Sequence, residues 1–280
     1  MHVEIAEERI LLLPDAVGAE QARTLAWAKR SEAFGAFARI GGFISRPKEE
    51  DYEIVYTELR LQPFWRISAS TTHVYDRQRQ HKLKVSPEVE SVSFGQQAFP
   101  AARGLATVTL IENCRESSQR DWLFDGLTRK GEPGLKAYLA MDPKPVTPDE
   151  LNDLTRAGAA VLPPQARPSM LTRDVISQSI RKIEADRVIE ETMRIDAIDL
   201  IYRPVYAHRL KWQGKEAVVE VDAVLGETKT AGTTFETYVG KLVDRDLLLD
   251  AGLEAANMVL PGVTLARIIV SKAAKLNAKT

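Results

Sequence analysis

Cysteine, histidine and long apolar runs are all scarce in this chain. The single cysteine, Cys114, excludes an internal disulfide framework and a zinc site built from several cysteines. The histidines show neither the i, i+4 pairing nor the accompanying carboxylates that mark a metal site; they are His2, His73, His81 and His208. No apolar stretch approaches the ~20 residues that a membrane-spanning helix requires. We therefore expect no cofactor, no metal and no transmembrane segment.

An excess of either charge is also absent. The 38 lysines and arginines nearly balance the 39 aspartates and glutamates, which gives a net charge of -1. No global field therefore draws the protein to nucleic acid or to an anionic membrane, and any basic surface must be local. The acidic N-terminus lacks the basic start of a signal peptide, and the lone cysteine suits a reducing compartment. These features predict a cytoplasmic location.

What the chain does contain is enough apolar sequence for two cores, 44% of 280 residues. The order of predicted elements is helix, then antiparallel strands, and this order occurs twice. The fold class we expect is α+β, with two related helix-plus-antiparallel-meander halves and a C-terminal helical pair. The predicted boundaries are an α+β domain at 1–142, a proline-rich linker at 143–169, a second α+β domain at 170–240 and the helical pair at 241–280.

Individual elements follow from hydrophobic spacing and turn residues. Apolar residues at helical intervals predict a helix within 18–40 and a short helix at 117–128. Residues 52–85 are typical of strands. Thr172 is expected to cap a helix, because Val175 and Ile176 follow at helical spacing. A tight hairpin is expected at 213–215, where glycine follows glutamine between two strand-like segments.

A short pattern is shared by the two halves. Pro63 precedes Phe64 and Trp65, and Pro204 precedes Val205 and Tyr206. Because proline cannot donate to a ladder, we expect both prolines at a strand edge, a strand start or a bulge. Such sites would orient Trp65 and Tyr206 similarly.

The second half continues with a Gly214-Lys215 turn and the segment Val219–Glu227. This part of the chain, about residues 172–229, resembles the PepSY family, whose hairpin ends in a pattern matched by Asp222, Ala223, Gly226 and Glu227. The resemblance implies a binding module and no catalytic group. In physical terms the motif is a turn, in which Asp222 accepts backbone amides two residues on and Gly226 takes a positive φ. The first half lacks this ending in its sequence.

The strongest local binding signal is a basic stripe with interleaved aromatic residues. Between residues 60 and 84 there are six basic residues and one acidic residue, Asp76. The basic stripe consists of Arg60, Arg66, Arg77, Arg79, Lys82 and Lys84. Such a surface suits an acidic protein or the phosphates and bases of nucleic acid. We predict that the partner-binding residues are Trp65, Arg66, Arg77, Arg79, Lys82 and Tyr206.

These patterns favour a non-enzymatic binding or assembly protein that engages a protein partner or a second copy of itself. One alternative is a metal-dependent nuclease using Asp222, Glu227 and Lys229, because such enzymes need carboxylates for the ion and a lysine beside them. Another is nucleic-acid binding through the basic stripe. A third is attachment to a membrane surface by a helix at 264–276, where apolar and basic residues are mixed.

Overall fold

A computed structural model describes residues 2–35 and 49–234, and strands dominate it. Strands hold 52% of the described residues and helices 21%. The strands are β1 (His2–Ile5), β2 (Glu8–Leu12), β3 (Tyr52–Lys84), β4 (Ser91–Phe94), β5 (Gln97–Ala102), β6 (Leu105–Asp125), β7 (Lys144–Pro145), β8 (Ala160–Val161), β9 (Arg187–Trp212), β10 (Lys215–Asp222) and β11 (Thr228–Lys229). The helices are α1 (Ala19–Ala28), α2 (Arg30–Ala33), α3 (Pro148–Arg156) and α4 (Pro168–Ser179), with short 3-10 helices at Glu49–Asp51 and Pro133–Ala140.

The chain divides into two compact units, each assembled from three separate stretches. Unit 1 comprises the described residues of Met1–Glu7, Ile67–Trp122 and Pro168–Ile198. Unit 2 comprises those of Glu8–Arg66, Leu123–Arg167 and Asp199–Thr280. The long strands β3, β6 and β9 contribute residues to both. The domain boundaries predicted at 142, 169 and 240 stay a prediction.

Unit 1 is a sheet with one helix. Its strand order is β9-β3-β6-β5-β4, and β1 pairs in parallel with the start of β9, with His2 opposite Thr192. The helix α4 buries Leu171 and Val175 at helical spacing. This sheet, the helix and Arg181 just after it supply the lining of the candidate site described below.

Unit 2 contains the β9–β10 hairpin, on which α1 packs. The hairpin turn is Gln213-Gly214, both at positive φ, with Trp212 opposite Lys215; this confirms the predicted tight hairpin. Small residues on α1, Ala22 and Ala26, allow the helix to approach the sheet closely. A buried core then forms from the ring side chains and aliphatic residues Phe34, Tyr52, Tyr206, Leu210, Trp212, Val219 and Val221.

One hydrogen-bonding pattern occurs twice in unit 2, around Asp125 and around Asp222. Each aspartate carboxylate accepts from the amides two and three residues on. Each aspartate amide donates to the carbonyl five residues on, and each aspartate carbonyl accepts from the amide four residues on. That fourth residue has a positive φ in both places, 63° at Arg129 and 73° at Gly226. The turn predicted for Asp222 and Gly226 is confirmed.

Each of these turns is also tied to a proline. The amide of Gly126 donates to the carbonyl of Pro63 at 3.0 Å, and the amide of Ala223 donates to the carbonyl of Pro204 at 3.0 Å. We call each combination a Pro–Asp unit. The first half therefore does carry the ending that its sequence was expected to lack. Arg129 stands where the second Pro–Asp unit has Gly226, so the sequence pattern does not reveal the first turn.

Both prolines lie inside long strands that have neighbours on both sides, so the edge and strand-start expectations are wrong. A proline at such a place removes one ladder donor. Its carbonyl still accepts from the turn on the adjacent strand, as the Pro–Asp units show. Each proline carbonyl thus accepts from the turn that follows the neighbouring strand.

Two extended segments each form hydrogen bonds with the Pro–Asp unit of the other half of the sequence. Leu13, early in the chain, donates to the carbonyl of Tyr202, and the amides of Ala16 and Val17 donate to the carbonyl of Ala223. These contacts join the start of the chain to the second Pro–Asp unit.

The second extended segment, residues 162–165, bonds to the first Pro–Asp unit in the same way. Leu162 donates to the carbonyl of Leu61, and Gln165 donates to the carbonyl of Gly126. Each unit is therefore completed by a segment from the other half of the sequence. The helices α1 and α4 follow these two segments at the same spacing.

The expected fold class is wrong, because the described chain is mostly strand and does not show two helix-plus-meander halves. The segment 117–128, expected to be helical, belongs mainly to β6, since cross-strand hydroxyl contacts such as Thr71 to Ser118 at 2.8 Å favour the extended form. Thr172 lies inside α4 rather than at its start. Residues 36–40 of the first predicted helix and the helical pair at 241–280 lie outside the described residues.

Candidate anion-binding cleft

The two aromatic residues predicted to contact a partner are buried in unit 2. Trp65 is 3% exposed and Tyr206 is 7% exposed. Tyr206 donates its hydroxyl proton to Asp15 at 2.5 Å; burial, with this carboxylate nearby, raises the pKa of Tyr206 to about 12. Arg66 is half-buried, and its guanidinium lies 3.5 Å from the buried carboxylate of Asp199. These three side chains stabilise the folded unit.

The other predicted contacts lie on β3 in unit 1. Arg77 donates to Glu112 at 2.6 Å, and Arg79 pairs with Glu184 at 3.1 Å. The hydrogen bond from Arg77 lowers the pKa of the Glu112 carboxyl. Lys82 is exposed and has no ion-pair partner among the described residues. Much of the positive charge expected in the basic stripe is thus balanced locally.

The carboxylate proposed for a nuclease is fully engaged. Asp222 accepts from the amides of Val224 and Leu225 at 2.9 Å each through one oxygen. Its other oxygen accepts from the hydroxyl of Tyr138 and from Arg203 at 3.0 Å. Burial is the main cause of the raised pKa of Tyr138, so this hydroxyl keeps its proton. Binding a metal at Asp222 would break a buried hydrogen-bond network.

The remaining nuclease candidates are exposed at the other end of the same turn. Glu227 and Lys229 both face solvent. Within residues 2–35 and 49–234, no three His, Cys, Asp or Glu side chains are grouped so that they could hold a metal ion. The structure therefore brings the three nuclease residues near one turn without assembling a ligand set there.

His208 is a core residue of unit 2 and lends itself to a direct test. Its ring is fully buried, stacks on Tyr206 with centroids 6.4 Å apart, and contacts the hydroxyl of Thr57 at 2.9 Å. Burial, helped by the positive charge of Arg23, lowers the pKa of His208 to about 4.

Because the unfolded chain binds this proton near the ordinary pKa of about 6.5, the free energy of unfolding should fall as the pH drops from about 6.5 towards 4. The contribution of one proton is at most about 1.4 kcal/mol per pH unit. Denaturant unfolding of the wild type and His208→Gln between pH 7.5 and 4.5 measures it. The wild type should lose stability more steeply than the variant; equal pH dependence would contradict a neutral buried His208.

A polar cleft lies wholly within unit 1, between β3, β6 and the end of α4. Its volume is about 530 Å³, which is enough for a charged group and the atoms that carry it. The lining residues are Ala69, Thr71, His73, Arg115, Glu116, Ser117, Ser118, Arg120, Trp122, Gln178, Ser179 and Arg181. Trp122 donates its indole proton to Gln178 at 3.3 Å, which joins β6 to the helix.

A comparison of the two Pro–Asp units explains why this cleft is open. Eight residues after Pro204, the proline of the second Pro–Asp unit, comes Trp212. Eight residues after Pro63, the proline of the first Pro–Asp unit, comes Thr71. Trp212 fills the space beside α1, with the rings of Phe34 and Tyr52 at 5.7 Å and 5.8 Å between centroids. Thr71 at the matching position has a far smaller side chain and lines the cleft. The space around Trp212 is a packed core, whereas the space around Thr71 is a cleft.

Positive charge exceeds negative charge in the cleft lining. Arg115, Arg120 and Arg181 face one carboxylate, Glu116, which pairs with Arg181. The guanidinium of Arg120 lies over the ring of Trp122 at 5.0 Å from its centroid. Among the described residues no carboxylate pairs with Arg120. The cleft therefore presents an arginine that is oriented by stacking and not neutralised by an acid.

His73 lies deepest among the polar lining residues. Its exposure is 4%, and neither ring nitrogen has a hydrogen-bond partner among the described residues. Buried polar groups are almost always paired, and leaving one unpaired costs about 1–3 kcal/mol. His73 is therefore a buried, unpaired ring in the cleft lining, and core side chains such as Tyr202 and Trp65 are unpaired in the same way.

The sequence alone did not reveal this site. His73 was expected only as a strand residue, and the arginines of β6 lie in a segment expected to be partly helical. A signal does exist: aligning the two halves on Pro63 and Pro204 sets Thr71 against Trp212. That alignment needs the strand register, which the structure supplies.

The chain matches no protein-family model, no curated protein and no solved structure. The resemblance of residues 172–229 to the PepSY family thus stays a prediction. In the described part of the chain, none of the helices combines the length and the apolar character needed to cross a bilayer. The segment 264–276, expected to contact a membrane surface, lies outside the described residues.

Proposed function

We propose that this chain is a non-catalytic binding protein that engages a protein partner, and that an anionic group of this partner enters the unit 1 cleft. The observation that carries the proposal is Arg120, stacked on Trp122 and free of any ion pair among the described residues, in a cleft lining that holds three arginines and one glutamate. The Arg120 guanidinium therefore has hydrogen-bonding capacity left at a concave site. A cytoplasmic location belongs to the same proposal, on the ground of the lone cysteine.

The charge and chemistry of the cleft support binding more than catalysis. A hydrolytic site needs a nucleophile within hydrogen-bonding reach of a base, and the base itself held by a third group. The hydroxyls near His73 are engaged with each other: Thr71 contacts Ser118 at 2.8 Å, and Thr72 contacts Ser117 at 3.3 Å. His73 hydrogen-bonds to neither pair.

Replacing Arg120 by alanine should weaken partner capture about tenfold or more, because the anion loses its uncompensated positive charge. The tagged full-length protein would be used to isolate partners from its native host at low salt. Quantitative mass spectrometry would compare the wild type, Arg120→Ala and Arg79→Ala. The Arg79 variant removes the same charge from the basic stripe outside the cleft and should keep at least half of the partner.

Three results would contradict the proposal. Full capture by Arg120→Ala would show that the partner does not use the cleft. Loss of capture only in Arg79→Ala would place the contact on the basic stripe. Recovery of the wild type without any stoichiometric partner would remove the basis for a binding function.

A further inference from the structure

A second surface of unit 1 is a two-stranded β-ribbon, formed by β4 and β5, none of whose residues lines the cleft. Residues 78–105 include no buried side chain, so the ribbon lies outside the hydrophobic core. Val92 lies opposite Phe99, and Phe94 lies opposite Gln97. One face of the ribbon is therefore mainly apolar. Two strands on their own are only marginally stable in water, so this ribbon gains from further pairing.

The ribbon also lacks charge. Residues 91–102 contain no Asp, Glu, Lys or Arg, although charged residues make up 28% of the chain. Free strand edges are usually protected by charge, by proline or by a bulge. At an edge of unit 2, for example, β11 carries Lys229. The strand β4 has none of these features, and it is the last strand of its sheet in the described part of the chain. Its outer edge is therefore open to another strand.

The hydrogen-bonding groups on this edge follow from the register of the ribbon. The turn at 95–96 has two residues, so the pair beside it exchanges backbone hydrogen bonds, and such pairs alternate along the ribbon. The amide of Ala101 donates to the carbonyl of Glu90 at 2.8 Å, which fits this alternation. Ser91 and Ser93 belong to the intervening pairs. Their amides and carbonyls are therefore directed away from β5, towards the open edge.

We infer that a second copy of this chain occupies the open edge, with the two β4 strands paired antiparallel about a two-fold axis at Val92. In that register Ser91 of each copy lies opposite Ser93 of the other, and every outward amide and carbonyl of these serines has a partner. The two Val92 residues form a closely spaced pair, and Phe94 lies opposite Glu90, so no like charges meet. An edge without charge neither repels an identical edge nor selects an acidic or basic partner.

The contact is small, because a strand of only four residues pairs with its copy. Interfaces that bury less than about 1,200 Å² belong to weak, reversible complexes. Sedimentation velocity on the full chain, over about 1–500 µM, measures such an equilibrium. The sedimentation coefficient should rise from that of the monomer to that of the dimer across this range.

Three variants test the register. Val92→Lys sets two ammonium groups side by side on the axis, and Val92→Glu does the same with two carboxylates. Each should weaken association about tenfold or more. An equimolar mixture of the two variants should associate again, because lysine then faces glutamate across the axis. Ser93→Pro removes an outward amide that makes no bond to β5, and it should also weaken association.

Ala98→Lys is the matched control. It adds the same charge to the ribbon on β5, away from the axis, and should associate as the wild type does. Since the ribbon contains no buried side chain, all these variants should melt at the wild-type temperature.

The inference is overturned if the wild type stays monomeric over the whole range, or if Val92→Lys associates normally. A mixture of the two charged variants that stays monomeric also overturns it, as does an equal loss of association in Ala98→Lys. The proposed function stands or falls separately, because partner capture is measured through Arg120 in the cleft.

Discussion

Replacing Asp222 by alanine should lower the free energy of unfolding by about 4 kcal/mol. The substitution leaves the amides of Val224 and Leu225 without an acceptor in a buried turn. It also leaves the half-buried Arg203 without its carboxylate and the buried Tyr138 without its acceptor. The loss is large because several groups become unpaired together and little water can reach them. Denaturant unfolding followed by tryptophan fluorescence measures it.

Asp125 is the matched control, since it occupies the same position in the first Pro–Asp unit. Its carboxylate accepts from the amides of Leu127 and Thr128, at 3.0 and 2.7 Å, and is only half-buried. Asp125→Ala should therefore cost about 1–2 kcal/mol. Equal losses for the two variants would show that the side-chain network around Asp222 adds nothing to the turn.

Replacing Arg60 by methionine should cost about 3–5 kcal/mol, because it removes the buried counter-charge of the Glu220 carboxylate inside unit 2. Arg60 is 1% exposed and pairs with Glu220 at 2.7 Å and Glu58 at 3.7 Å. It also donates to the carbonyl of Thr233 at 2.5 Å, while Glu220 accepts from the amide of the same residue. One arginine therefore connects β3, β10 and the segment that follows β11.

Two further variants show whether burial is the cause of this loss. Arg77→Met breaks the ion pair with Glu112 on a partly exposed surface and should cost no more than about 1 kcal/mol. Adding Glu220→Met to Arg60→Met should restore part of the lost stability, since one stranded charge disappears. A double variant less stable than Arg60→Met alone would contradict the electrostatic explanation.

Local turn chemistry could be predicted from the sequence, and tertiary placement could not. The Gln213-Gly214 hairpin and the Asp222 turn follow from residues that act within five positions of each other. The matching turn at Asp125 escaped prediction because Arg129 holds a positive φ, 63°, that normally identifies glycine. The hydrogen bonds of the turn hold Arg129 in this backbone conformation, so the residue type at this position does not predict it.

The candidate site shows the same limit. Trp65 and Tyr206 have the composition of a binding surface, but burial depends on which face of the sheet meets the core, and a single sequence does not fix that face. Conversely, His73 belongs to an unremarkable strand segment. The structure places its ring in the lining of the cleft, buried and without a hydrogen-bond partner among the described residues.

The extended segments that bond to the Pro–Asp units have a consequence for how the chain is synthesised. Leu13 and Ala16 are synthesised long before Tyr202 and Ala223, whose carbonyls accept hydrogen bonds from their backbone amides. The first helix of the chain must therefore wait, with its apolar face unpartnered, until almost 200 further residues have emerged. Ribosome-bound chains that stop before the β9–β10 hairpin would expose this face. A cell that produces the protein quickly would then depend on chaperones to shield it during elongation.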